Sequence, residues 1–251
     1  DDTSMALCLA DSLIHCGGYD EADMMERFCR WWMDGENSVN CRCFDIGTTT
    51  RAALNRYKWD DMEDRRPRKN EASNGSLMRL APVPIFCAAA GLYSGGMAIK
   101  QSRATHRNTI AAEACEWLSQ MIYEAITDHS KDFVLTPRMA TEPDLGPAIG
   151  GAWRGKARSE IRSTGYVVDT LEAALWCVGH SSTFFGALLL AVNLGGDSDT
   201  VGAVTGQLAG AIYGRQAIPE RWLSKLAWAD VIEQKALDLI KAGSARAAVS
   251  E

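Results

Sequence analysis

Two acidic motifs, one at each end of the chain, contain side chains that could bind metal ions. The first is DDTS at 1–4, and the second is GGDSDT at 195–200. Each precedes an apolar segment with helical character, so both groups of carboxylates are expected at helix starts. Carboxylate and hydroxyl oxygens are the ligands that Mg²⁺, Mn²⁺ or Ca²⁺ prefer. We therefore expect one metal centre, with two ions, formed by Asp1, Asp2, Asp197, Asp199 and Thr200.

Helix capping is the alternative interpretation of both motifs, because Asp, Ser and Thr are favoured N-cap residues. A helix needs only one such side chain at its cap. Each motif offers more oxygen ligands than capping uses, which favours metal binding over capping.

Glycines at 202, 206, 210 and 214 follow the second acidic motif at every fourth position. In a helix this spacing places them along one face. A face without side chains allows the backbone of a neighbour to come close. The spacing therefore predicts a buried, tightly packed helix at 199–214.

A third motif, NGSLMR at 74–79, has the composition of a ligand-binding loop. The glycine between Asn74 and Ser76 lets a ligand approach the backbone closely. Free backbone amides and a hydroxyl could bind phosphate. The alternative is an ordinary turn that caps a buried helix.

Taken in order, these motifs resemble those of the ADP-ribosylglycohydrolase family. The resemblance rests on DDTSM at 1–5, NGSLMR at 74–79, GYVVDTLEAALW at 165–176 and GGDSDTVGAVTGQLAGAIYG at 195–214. Each motif alone is weak, whereas the ordered set is specific. The stretch FDIGTTTRAAL at 44–54 is most similar to the bacterial, arginine-directed branch.

The resemblance implies a metal-dependent hydrolase that cleaves the N-glycosidic bond between ADP-ribose and a protein side chain, with arginine expected. It implies two divalent cations, Mg²⁺ or Mn²⁺, and ADP-ribose or an ADP-ribosylated protein as partner. Asp2 and Asp199 are the candidates for handling the proton of the attacking water. Three alternatives stay open: a binding, immunity or crystallin-like protein on the same fold, a hydrolase of another ADP-ribose conjugate, and a two-metal phosphohydrolase. The retained carboxylates favour an enzyme.

The resemblance also suggests residues that contact the substrate. Glu71 could accept hydrogen bonds from an arginine guanidinium, although a surface role is nearly as good an interpretation. His106 could contact a phosphate or ribose, or be structural. Tyr166 could cover the ribose, or be a core tyrosine. The remaining candidates are Asp45, Gly47, Asn74, Gly75, Ser76, Met78, Arg79, Gly195 and Gly196.

Composition disfavours several other classes of protein. The net charge of −6 argues against a nucleic-acid partner. The eight cysteines match no disulfide framework or zinc signature, which indicates a reducing, cytoplasmic compartment. The apolar stretch FFGALLLAV at 184–192 is too short to span a bilayer, so no membrane partner is expected.

Helical periodicity dominates the chain and predicts an all-α fold, with residues 1–251 as one ADP-ribosylglycohydrolase-like domain. The chain starts inside a motif, so we expect it to lack an upstream segment. Residues 76–91 are expected to form a buried helix broken by two prolines, and 128–164 a region of loop and short helix. The tail at 242–251 is expected to fray. Helices are predicted at 3–16, 20–33, 48–57, 96–103, 107–127, 167–179, 183–192, 199–214, 219–227 and 229–241.

Overall fold

The computed structural model describes residues 1–59 and 72–249. Within those ranges the chain forms α-helices and short 3₁₀ turns, and its one extended pairing is an isolated bridge between Ser73 and Tyr166. The predicted all-α class is therefore confirmed. No helix in these ranges has the length and apolar character needed to cross a membrane. The helices are α1 (Asp2–Cys16), α2 (Glu21–Asp34), α3 (Thr48–Trp59), α4 (Pro82–Ala90), α5 (Gly95–Thr105), α6 (Thr109–Ile126), α7 (Lys131–Val134), α8 (Gly146–Ile149), α9 (Val167–Gly179), α10 (Phe184–Val192), α11 (Ser198–Tyr213), α12 (Glu220–Leu223) and α13 (Ala229–Val249).

Helix α9 lies at the centre of the bundle. It packs against α6, α10 and α11, and nearly every one of its residues is buried. This explains why its apolar residues, such as Val168, Leu171 and Trp176, are spread around the helix rather than along one stripe. Because α9 is fixed by its neighbours, its N-terminus provides a rigid base for the loop that precedes it.

The glycine face of α11 packs against α10 through the side chains of α10. A Cβ added at Gly202 would lie 3.5 Å from Val192, and one at Gly206 would lie 3.9 Å from Leu188. Both are ordinary van der Waals distances. The predicted helix is present, but the expected close approach of two backbones is wrong at these positions. Side chains from α10 occupy the space that the glycines leave.

The C-terminal tail is expected to fray, and this expectation is wrong as far as Val249, where α13 ends. Residues 250–251 lie outside the described ranges. A Cβ at Gly243 would lie only 2.4 Å from the carbonyl oxygen of Phe86, so α13 and α4 are in backbone contact there. Arg246 also donates a hydrogen bond to the carbonyl of Gly17, at 2.8 Å. The small residues of the tail therefore serve close helix packing.

The expected break at the two prolines is also corrected. Helix α4 begins at Pro82, and Pro84 lies in its first turn. Backbone N–H groups in the first turn have no partner within the helix, so proline loses nothing there. The preceding Asn74–Ser76 segment is a 3₁₀ turn, which brings the third motif to the end of the bundle where α1 and α11 begin.

Candidate active site

A cavity of about 250 Å³ lies where α1 and α11 begin. The loop before α3 with the start of that helix, the loop before α4 and the loop before α9 form the rest of its wall. Both acidic motifs contribute to the lining, although almost two hundred residues separate them in the sequence. The lining residues are Asp1, Asp45, Gly47, Thr48, Thr50, Ser73, Asn74, Gly75, Met78, Gly165, Asp197, Asp199 and Thr200.

Asp2 lies beside this cavity and is electrostatically linked to the second motif. Burial raises the pKa of its carboxyl, and the nearby carboxylates of Asp199 and Asp197 raise it further. Its Oδ1 atom is buried and has no hydrogen-bond partner. A buried acceptor without a partner is uncommon, and an ion or ordered water is one way to satisfy it.

A metal ion in this cavity would be held by oxygen donors. In the described ranges, no group of three or more Asp, Glu, His or Cys side chains is arranged to hold one. Mg²⁺ does not require such a group, since it keeps several waters and commonly uses one or two carboxylates. The cavity offers carboxylates, the Thr200 hydroxyl and, beside it, the unpartnered oxygen of Asp2. These hard oxygen donors fit a divalent cation of this type.

Asp197 is held from two directions. Its backbone N–H donates to the carbonyl of Ser163 at 3.2 Å. Its Oδ2 accepts a hydrogen bond of 2.7 Å from Nδ2 of Asn74, and the same amide donates to Oγ1 of Thr170 at 2.9 Å. Because a carboxylate can only accept, the Asn74 amide must turn its NH₂ group towards Asp197. Asn74 therefore orients Asp197 as well as lining the cavity.

The loop before α9 is fixed by the first turn of that helix. The Thr170 hydroxyl lies within hydrogen-bond distance of the carbonyls of Thr164, at 3.0 Å, and Tyr166, at 3.2 Å. The carboxylate of Asp169 accepts a hydrogen bond from the Thr164 hydroxyl at 2.6 Å. The carbonyl of Gly165 accepts one from the backbone of Asn74 at 3.0 Å. These contacts fix the loop against α9, and the loop in turn holds Asp197 through the Ser163 carbonyl and through Asn74.

Three of the predicted substrate contacts are buried behind the wall of the cavity. Ser76, Arg79 and His106 are each 0% exposed. The Ser76 hydroxyl pairs with that of Ser102 at 2.8 Å. The guanidinium of Arg79 stacks on the ring of Phe28, 4.5 Å from its centroid. The expectation of direct substrate contact is therefore wrong for these three residues, which support the wall from behind.

His106 belongs to a buried chain of hydrogen bonds that reaches the cavity. Nη2 of Arg79 donates to Oγ1 of Thr105 at 2.7 Å. The same Oγ1 lies 2.7 Å from Nδ1 of His106, and Nε2 of His106 lies 3.0 Å from Oγ of Ser73. Burial, with a smaller contribution from Arg79, lowers the pKa of His106 to about 3. The imidazole is therefore neutral in the folded protein at physiological pH.

This burial predicts a pH dependence of stability. The unfolded chain binds a proton at His106 near the ordinary pKa of 6.5, whereas the folded chain does so only near 3. Between these values the unfolded state binds more protons, so the free energy of unfolding falls as the pH falls. The contribution is about 1.6 kcal/mol between pH 6.5 and 5. Denaturant titrations at several pH values should show this fall in the free energy of unfolding for the parent, and its loss in His106→Gln. His15 is exposed, so His15→Gln should show the same fall as the parent.

The other predicted residues are placed as follows. Asp45 and Gly47 both line the cavity. Asp45 is exposed and has a φ of 58°. The Tyr166 hydroxyl donates to Asp144 at 2.9 Å. Gly195 and Gly196 have φ values of 78° and 60°. Glu71 lies outside the described residues.

Sequence reasoning missed three residues that hold the site together: Ser73, Ser163 and Thr170. Ser163 acts through its backbone carbonyl, which no side-chain pattern can reveal. Thr170 belongs to the GYVVDTLEAALW motif, so its hydroxyl was visible as a polar group within an apolar helix. Ser73 directly precedes the third motif.

The chain is similar to known proteins over almost all of its length. The family model for ADP-ribosylglycohydrolase matches residues 1–248. ADP-ribosylarginine hydrolase Tri1 of Pseudomonas putida (strain GB-1) is 42% identical over 95% of this chain and 65% of the relative. The Tri1 protein of Serratia proteamaculans (strain 568) is 42% identical over 90% of this chain and 62% of the relative. The chain thus spans slightly less than two thirds of the length of either relative.

Two further proteins extend the comparison. The ADP-ribosyl-[dinitrogen reductase] glycohydrolase of Rhodospirillum rubrum is 31% identical over 90% of this chain and 72% of the relative. A solved structure described as an "ADP-ribosylglycohydrolase-related protein complex" superimposes with a TM-score of 0.82 at 38% identity. That superposition covers 97% of this chain and 81% of the other. The chain belongs to the ADP-ribosylglycohydrolase family.

Proposed function

We propose that this protein hydrolyses the N-glycosidic bond between ADP-ribose and an arginine side chain of a modified protein. The observation that carries the proposal is the cavity in which both acidic motifs meet the Asn74 loop. Two relatives named ADP-ribosylarginine hydrolase, each 42% identical, support arginine as the modified residue.

The family is metal-dependent in general, and the donor set of this cavity fits that chemistry. Asp1, Asp2, Asp197, Asp199 and Thr200 would hold two divalent cations, Mg²⁺ or Mn²⁺. The bound ions would supply Lewis acidity and lower the pKa of a coordinated water. Asn74 would keep the carboxylate of Asp197 in a single orientation for that task.

The reaction breaks the bond between the anomeric carbon of the ribose and a guanidinium nitrogen, and a water oxygen bonds to the same carbon. Positive charge builds on the ribose as the bond breaks. The carboxylates of the cavity favour this charge electrostatically. Asp2 and Asp199 are the proposed acceptors of the water proton, and the departing guanidine nitrogen takes up a proton. Asp45, Gly47, Gly75 and Met78 would form the wall against the substrate.

The proposed substrates are ADP-ribosylated proteins of a reducing, cytoplasmic compartment. All eight cysteines of the chain are free thiols in the structure. Disulfides are rare in compartments where thiols are kept reduced. The thiols support this placement, and the net charge of −6 disfavours nucleic acid as a partner.

The test is hydrolysis of a panel of peptides carrying ADP-ribose on arginine, serine or another side chain, with ADP-ribose release measured by chromatography. We expect release from the arginine conjugate with Mg²⁺ or Mn²⁺, and its loss when a chelator removes the metal. Restoring the metal should restore activity. Release only from other conjugates would reject the arginine assignment, and no release from any would reject the proposed enzyme.

Thr170 provides a separate prediction about the metal site. Replacing it by valine removes the acceptor for Asn74 while keeping the shape of the side chain. Because Thr170 is 0% exposed, its effect must pass through its hydrogen-bonded neighbours. These are the Asn74 amide, which holds Asp197, and the carbonyls of Thr164 and Tyr166 in the loop before α9. Loss of such an outer contact typically weakens metal binding by about 10–100-fold.

Titration calorimetry with Mn²⁺ measures this effect. Thr205→Val is the matched control, because Thr205 is an equally buried threonine, on α11. Thr170→Ser should retain the affinity of the parent. Parental affinity in Thr170→Val would contradict the role of Thr170.

A further inference from the structure

We propose that the Ser73 hydroxyl is a hydrogen-bond donor to the bound substrate, with its proton directed into the cavity by the buried chain that begins at Arg79. The inference deepens the proposed function, on which it rests, by adding a binding residue that none of the motifs identified. The donors and acceptors along this chain fix the direction of each hydrogen bond.

Arg79 donates every hydrogen bond that it makes to oxygen. A guanidinium has five N–H donors and no acceptor, so every contact it makes with oxygen is a donation. Its Nε donates to Oε1 of Gln101 at 2.9 Å, and Nη2 donates to the backbone carbonyl of Gln101 at 2.9 Å. The second hydrogen of Nη2 goes to Oγ1 of Thr105 at 2.7 Å. Oγ1 of Thr105 is therefore an acceptor in this contact.

The hydroxyl of Thr105 donates its proton to His106. The Thr105 side chain is 0% exposed. Its own hydroxyl proton needs an acceptor, because a buried donor without a partner is costly. Nδ1 of His106 lies 2.7 Å away. A donation from Thr105 to Nδ1 satisfies both groups and leaves Nδ1 of His106 without a proton.

His106 carries its ring proton on Nε2. A neutral imidazole has one protonated nitrogen, so an unprotonated Nδ1 leaves the proton on Nε2. Nε2 then donates to Oγ of Ser73 at 3.0 Å. Burial keeps the ring neutral by lowering its pKa to about 3, which is the condition that this step requires.

The opposite direction of donation is worse. If Ser73 donated to Nε2, the ring proton would lie on Nδ1 and point at Thr105. The Thr105 hydroxyl would then accept from both Arg79 and His106, and its own proton would lose the acceptor Nδ1 within a fully buried site. The geometry thus selects the arrangement in which His106 donates to Ser73.

The chain of hydrogen bonds ends at the cavity, because Ser73 is one of its lining residues. Its oxygen accepts from His106, so its proton is available to a ligand. The matching ligand atom is an oxygen that accepts without having to donate, such as a phosphate or carbonyl oxygen. ADP-ribose supplies oxygens of this kind on its two phosphates.

Two measurements test the inference. Titration calorimetry with ADP-ribose should show about ten-fold weaker binding for Ser73→Ala than for the parent, since hydrogen bonds to charged groups are among the stronger ones. The control is Ser94→Ala, which removes a fully buried hydroxyl at the N-cap of α5. Nitrogen-15 NMR of the histidine rings should place the His106 proton on Nε2.

The outcomes separate this inference from the proposed function. Parental affinity in Ser73→Ala, or a proton on Nδ1 of His106, would overturn the role of Ser73. So would failure of the parent to bind ADP-ribose. If the parent binds ADP-ribose and Ser73→Ala binds it ten-fold more weakly, but no ADP-ribosylated peptide is hydrolysed, the inference stands and the proposed function falls.

Discussion

Replacing Asp199 by asparagine is expected to reduce hydrolysis by about 100-fold or more and to remove most of the stabilisation by metal. Asp199 lines the cavity, and its charge acts on the carboxyl of Asp2. Asparagine keeps the size of the side chain and removes the charge. A metal at about 100 times its Kd stabilises the folded state by about 2.7 kcal/mol, and a hundred-fold weaker site reduces this to about 0.4 kcal/mol.

Thermal melting with and without Mg²⁺ measures the loss. Without metal, the variant should melt close to the parent temperature, because two small effects oppose each other. Removing one carboxylate relieves repulsion from Asp2, and it also removes a favourable charge from the first turn of α11. The control is Asp230→Asn, in the first turn of α13, which should keep the full metal response. An undiminished response in Asp199→Asn would exclude Asp199 as a ligand.

The helices and the meeting of the two acidic motifs could be anticipated from sequence for different physical reasons. Helices such as α2 carry a periodic apolar face and an acidic cap, Asp20, that are both local properties. The meeting of the acidic motifs is not local. It was inferred because each motif has more oxygen ligands than a helix cap uses.

Burial of polar side chains could not be anticipated in the same way. Ser76 and Arg79 belong to a motif that also contributes Asn74, Gly75 and Met78 to the cavity. Residue type does not distinguish them, since polar residues of this motif occur both in the lining, as Asn74 does, and behind it, as Ser76 and Arg79 do. What separates them is the three-dimensional path of the 3₁₀ turn, which sends Arg79 towards Gln101 and away from the cavity.

The tail illustrates the same limit for small residues. Its alanines, glycine and serine suggested weak packing, because such side chains bury little apolar area. In the structure Gly243 allows α13 to touch the backbone of α4. Small residues are thus compatible with fraying or with the closest packing, and only the partner helix decides between them.

Two adjacent glycines precede Asp197, and substitutions at them are expected to differ in effect. Both have positive φ, 78° at Gly195 and 60° at Gly196. A Cβ at Gly195 would meet nothing within 4 Å, whereas one at Gly196 would lie 2.2 Å from the carbonyl oxygen of Ser163. Gly195→Ala should therefore cost about 1–2 kcal/mol, from backbone strain alone. Gly196→Ala should cost about 3 kcal/mol or more, because strain and overlap add.

The overlap at Gly196 also has a functional consequence, because the same Ser163 carbonyl accepts the backbone hydrogen bond of Asp197. Moving that carbonyl to make room for a methyl group would release Asp197 from one of its two anchors. We expect Gly196→Ala to lose metal binding in calorimetry even at temperatures where it remains folded, and Gly195→Ala to retain it. Equal melting temperatures and equal metal affinities in the two variants would mean that the Ser163 carbonyl can move aside at little cost in free energy. The position of Asp197 would then depend on Asn74 alone.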